Sequence, residues 1–100
     1  MTQVALLSRV RVKAGAGEQF VAAMKGVVEQ AREEGGTLLY VLQQARDDAE
    51  SFWVSEIYAD EKALEVHRRS AAMEAAAPVL GELIETAELM VGEPLAAKGI

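Results

Sequence analysis

The chain has 100 residues, 51% of them apolar, with 10 Lys+Arg against 16 Asp+Glu and a net charge of −6. This fits one small domain over residues 1–100, with enough hydrocarbon for a core, and the acidic balance argues against a surface that tracks nucleic-acid phosphates. Zero Cys and one His exclude a disulfide frame, a thiolate nucleophile, a Cys-bound zinc and any site that needs two imidazoles from one chain.

The opening segment, MTQVALLSRVRVK, has no basic start followed by a long apolar run. No stretch approaches the roughly 18 apolar residues of a membrane span, so the expectation is a soluble, cytoplasmic chain with no membrane partner. Residues 3–13 alternate, with Val4, Leu6, Ser8, Val10 and Val12 on one face of a predicted strand. Ala14-Gly15-Ala16-Gly17 breaks it. Gly15-x-Gly17 lacks the third glycine and the parallel-sheet setting of a nucleotide loop.

From Glu18 the period becomes helical. Phe20, Met24, Val27, Val28 and Ala31 form one stripe, and Gly35-Gly36 reads as a left-handed stop. Thr37–Ala45 is a predicted strand, apolar on both faces and so expected to be covered on both sides. A polar turn over residues 46–50 leads to a third strand at residues 51–58. Phe52, Val54, Glu56 and Tyr58 share one of its faces, Trp53, Ser55 and Ile57 the other. Asp60 can cap a helix carrying Ala63, Leu64 and His67 inward, with Arg68-Arg69 as a solvated edge. Ser70 restarts helical structure, which Pro78 is expected to kink or divide. A weak last strand spans about Thr86–Val91, and Met24, Met73 and Met90 read as core fillers.

The order β-α-β-β-α-β with right-handed crossovers predicts an α+β, ferredoxin-like antiparallel sheet with its helices on one face. The other face carries Leu7, Leu39, Val41, Trp53 and Ile57. An apolar surface of that extent calls for a homodimer packed sheet to sheet, anchored by Trp53. On the covered face Ser8, Tyr40, Glu56, Tyr58 and His67 converge. Buried polar groups each cost about 1–3 kcal/mol without a partner, so the set needs either mutual bonds or a ligand. His67 can equally bridge Glu56 or a backbone carbonyl, and both tyrosines can be core aromatics with satisfied hydroxyls.

The runs Gly36-Thr-Leu-Leu-Tyr40, Ser51-Phe-Trp-Val-Ser-Glu56-Ile-Tyr58-Ala-Asp-Glu and Ala63-Leu64-x-x-His67-x-x-Ser70 together resemble the antibiotic biosynthesis monooxygenase domain over roughly residues 4–93. The resemblance implies a dimeric α+β barrel with a pocket between sheet and helices. It also implies O2 chemistry on a quinol or polyketide-like aromatic with neither metal nor organic cofactor. The haem-degrading branch fits poorly. Its strand-one asparagine falls at Ser8, its tryptophan at His67 and its iron-binding histidine near Ala77. Many members also read Ser-Pro-His-Phe where this chain has Ser70-Ala71-Ala72-Met73.

On that resemblance His67 is expected to be the base that deprotonates the substrate, with Glu56 orienting it or balancing its charge. Tyr58, Tyr40 and Ser8 are expected to bind the ring. Two rival expectations share the fold: a dimer that binds a small molecule without turnover, and a muconolactone-type isomerase that uses a base but no O2.

Overall fold

The computed structural model describes residues 2–100, which form β1 (Val4–Val12), α1 (Gly17–Arg32), β2 (Thr37–Gln44), β3 (Ser51–Tyr58), α2 (Glu61–Arg68), α3 (Ala71–Leu83) and β4 (Ile84–Gly92). The four strands make one antiparallel sheet in the order β2-β3-β1-β4. This is the ferredoxin-like α+β arrangement, with the second helical region in two pieces.

Period 2 decides what each strand buries. Val4, Leu6, Val10 and Val12 of β1 and Phe52, Val54, Glu56 and Tyr58 of β3 are all buried under the helices. Phe20, Met24 and Val27 of α1 and Ala76 of α3 meet Val10, Val12, Phe52 and Val54 in the larger core cluster. Val4, Leu6, Tyr58 and Leu64 form a smaller one. Side chains of Asp60 and Ser70 accept the amides of Ala63 and Met73, at 2.8 and 3.3 Å, so each short helix starts on its own cap.

Several details depart from the pattern read in the sequence. Gly35 and Gly36 do not adopt a left-handed backbone; the glycines with positive φ are Gly15 and Gly99. Gly36 is needed for space instead, because a β-carbon there would lie 2.5 Å from that of Ala63 on α2. Pro78 sits inside α3 without dividing it, exposed on the helix surface. β4 begins at Ile84, directly after α3, two residues earlier than the alternation suggests.

β2 is not covered on both sides within one chain: Leu38 and Val41 are 39% and 38% exposed. Leu38 stands at a break in the β2–β3 register, out of the ladder. Met90 is not a core filler. Its partner in the ladder is Leu7, so it points to the outer face and is 40% exposed. Among the described residues no helix is long and apolar enough to cross a membrane.

Candidate active site

A cavity of about 270 Å³ lies between the sheet and helices α1 and α3. Its walls are mostly hydrocarbon, from Val10, Phe20, Met24, Val54, Met73, Leu80, Ile84, Ala87 and Leu89, and its polar side chains include Ser8, Tyr40 and Glu56. The volume sits just below the roughly 300–1,000 Å³ of sites that enclose drug-sized ligands, which favours a compact one- or two-ring guest. A larger depression of about 690 Å³ opens over Gly15, Gly17 and the β2–β3 turn. Exposed Glu18, Lys25 and Gln44 border it, beside Val21 and Ala22.

Glu56 is only 8% exposed although it stands in mid-strand. β3 forces this orientation, since Val54 and Tyr58 share its face. Burial raises the Glu56 carboxyl above the ordinary glutamate range, while the Tyr58 hydrogen bond and the charges of His67 and Arg68 pull the other way. The Tyr58 hydroxyl donates to Glu56 Oε1 at 2.5 Å. Burial, followed by that bond and the Glu56 charge, raises Tyr58 far above the ordinary phenol range, so it stays protonated and serves as a fixed donor. Tyr40 is also raised, first by burial and then by the charges of Glu56 and Glu34.

His67 reaches this layer from α2. Its ring packs beside Tyr40 and Tyr58, with centroids 5.0 and 5.5 Å apart. Its Nδ1 lies 2.8 Å from Glu34 Oε1. The two side chains are 3% and 6% exposed, which makes this the most deeply buried ion-pair geometry in the described chain. Thr37 Oγ1 donates to the same Glu34 oxygen at 2.8 Å.

The five residues singled out in the sequence therefore divide. Ser8, Tyr40 and Glu56 line the cavity. Tyr58, fully buried, backs Glu56. His67 does not line the cavity, and its carboxylate partner is Glu34 rather than Glu56. The Tyr40 and Tyr58 rings pack against His67, and Glu56 is the carboxyl at the cavity. Glu34 escaped the sequence reading because it follows another acid, Glu33, just past the end of α1, where charge normally marks a solvated helix end. Its partner is 33 residues away. Among the described residues no group of three or more His, Cys, Asp and Glu side chains is placed to hold a metal ion.

A family described as antibiotic biosynthesis monooxygenase matches residues 3–79. No curated protein sequence matches the chain significantly. Among solved structures, a Pseudomonas aeruginosa protein is similar with a TM-score of 0.88 at 25% identity, over 96% of this chain and 97% of that one. A Mycobacterium tuberculosis protein has a TM-score of 0.88 at 25% identity, over 96% and 98% of the two chains. A Nitrosomonas europaea protein, provisionally described as an antibiotic biosynthesis monooxygenase, has a TM-score of 0.88 at 21% identity over 93% and 99%, a likeness of fold.

Proposed function

Because the chain belongs to the antibiotic biosynthesis monooxygenase family, we propose that it oxygenates a small hydroxylated aromatic, of one or two rings, with O2. The substrate itself supplies the electrons. The observation that carries this reading is Glu56: a carboxyl with a raised pKa, held by Tyr58 at the wall of an otherwise greasy cavity.

Triplet O2 reacts slowly with closed-shell molecules. Deprotonating a phenolic hydroxyl enriches the ring in electrons until it can pass one to O2, and the two radicals then combine as a ring peroxide. Loss of water leaves a quinone carbonyl. One oxygen atom enters the ring, the other leaves as water, and the substrate gives up four electrons.

Glu56 is the proton acceptor, since a carboxyl raised toward the working pH makes a better base than an ordinary one. Tyr40 and Ser8 donate hydrogen bonds to the oxygen on which charge develops. Phe20, Met24 and Met73 exclude water around the peroxide. The assembly that completes the account is a homodimer through the outer sheet face, where Leu7, Val41 and Met90 are 36%, 38% and 40% exposed beside Trp53, Leu39 and Ile57.

The test is O2 uptake with a panel of one- and two-ring quinols. The wild type should consume O2 and place one labelled oxygen atom in the product. Glu56→Gln, which keeps the shape and the Tyr58 bond, should lose about 10²-fold or more in rate. Turnover under nitrogen would assign an isomerase instead, and binding without turnover a carrier.

A further inference from the structure

His67 and Glu34 are the buried titratable groups that the oxygenation scheme leaves without a task. Their geometry is specific. A carboxylate can only accept, so the short Nδ1–Oε1 contact puts a proton on Nδ1 and leaves Nε2 as the nitrogen that can take up or give a proton. Glu34 is itself held. Thr37 and His67 both donate to Oε1, whereas Oε2 is buried and has no donor from the described residues. Glu34 also borders a second pocket, about 260 Å³, between Gly35-Gly36 and α2, shared with Ala59, Asp60, Lys62 and Ala63. None of its lining residues is shared with the cavity at Glu56.

We propose that Glu34 is a positioning residue: it fixes His67 as the Nδ1–H tautomer, so that Nε2 is the ring nitrogen free to take up or give a proton, and it balances the imidazolium when Nε2 gains one. The groups facing His67 are Glu34, Tyr40 from β2, Glu56 and Tyr58 from β3, and its neighbour Arg68. Glu34 is the one bonded to the ring. This role rests on the reading that an ionisable hydroxyl binds beside Glu56.

The experiment uses the single histidine as its own reporter. Nitrogen-15 labelling of histidine gives the tautomer of His67 and its titration in the wild type, in Glu34→Gln and in Glu34→Asp, with and without para-nitrophenol, an ionisable phenol that O2 does not consume. The wild type should show the Nδ1–H tautomer. The titration in Glu34→Gln should differ from that of the wild type, and Glu34→Asp should recover part of the difference. Bound para-nitrophenol should shift the His67 titration in the wild type and shift it less in Glu34→Gln. With a quinol, kcat in Glu34→Gln should fall tenfold or more with KM within about twofold, and its pH profile should move with the His67 titration.

An Nε2–H tautomer in the wild type, which needs no variant to fold, overturns the proposal. So does an equal titration in wild type and Glu34→Gln, or a bound phenol that leaves His67 unmoved. If para-nitrophenol does not bind at all, the cavity reading fails first and takes this role with it, which separates the two failures.

Discussion

The covered face of the sheet is finished in two different materials. Where β1 ends and β3 begins, Phe20 and Phe52 stack at 4.8 Å with Val10, Val12 and Val27 around them, and every buried group there is hydrocarbon. Where β1 begins and β3 ends, Val4, Leu6 and Leu64 share the layer with Tyr58, Glu56 and His67, and Glu34 closes in behind. The first end gains stability from burial alone. The second encloses two carboxylates and an imidazole whose desolvation their mutual bonds only offset, an arrangement a chain tuned for stability alone would not favour. The cavity lies between the two ends. Stability and chemistry are therefore expected to respond to different substitutions, and that contrast can be broken in order of effect.

The largest loss of stability belongs to the hydrocarbon end. Phe52→Ala should cost about 3–5 kcal/mol in denaturant unfolding, while the fraction still folded keeps its turnover per molecule. Gly36→Ala comes next. Its new β-carbon collides with Ala63 unless α2 shifts, so the cost is about 1–3 kcal/mol. Because α2 carries His67, turnover should drop further than the lost stability explains, and adding Ala63→Gly should restore both. If Phe52→Ala impaired turnover per folded molecule as much as Gly36→Ala did, the division between the two ends would be wrong.

The smallest effect is one of pH. The folded pKa of Glu56 is raised, so the protonated form favours the fold. The stability it contributes is fully present below the ordinary glutamate value of 4.5 and is lost as pH rises through the raised folded value. Thermal melts of Glu56→Gln should lack this decline, so the variant gains on the wild type as pH increases. A parallel pair of melting profiles would mean that Glu56 is not buried against its charge.

Much of this contrast is legible in the sequence. Alternation in β1 and β3 assigns Glu56 and Tyr58 to the covered face because a strand repeats every two residues and every neighbour on that face is apolar. Helical spacing from Ala63 and Leu64 puts His67 inward in the same way. Local patterns cannot reveal partners that tertiary structure supplies. Glu34 looks like a solvated acid until the chain folds His67 against it. Gly36 looks like a helix stop, yet φ is not what requires it; the approach of α2 is. Met90 reads as core because thioethers are usually buried, and only the register opposite Leu7 shows that it faces outward.

The most direct test of the account is a crystal structure of the protein soaked with a two-ring dihydroxyaromatic. The ring should lie between Met24 and Met73 with one hydroxyl within hydrogen-bond distance of the Glu56 carboxyl. A ring bound in the open depression beside Gly15 and Gly17, or one in the cavity with its hydroxyls turned away from Glu56, would contradict it.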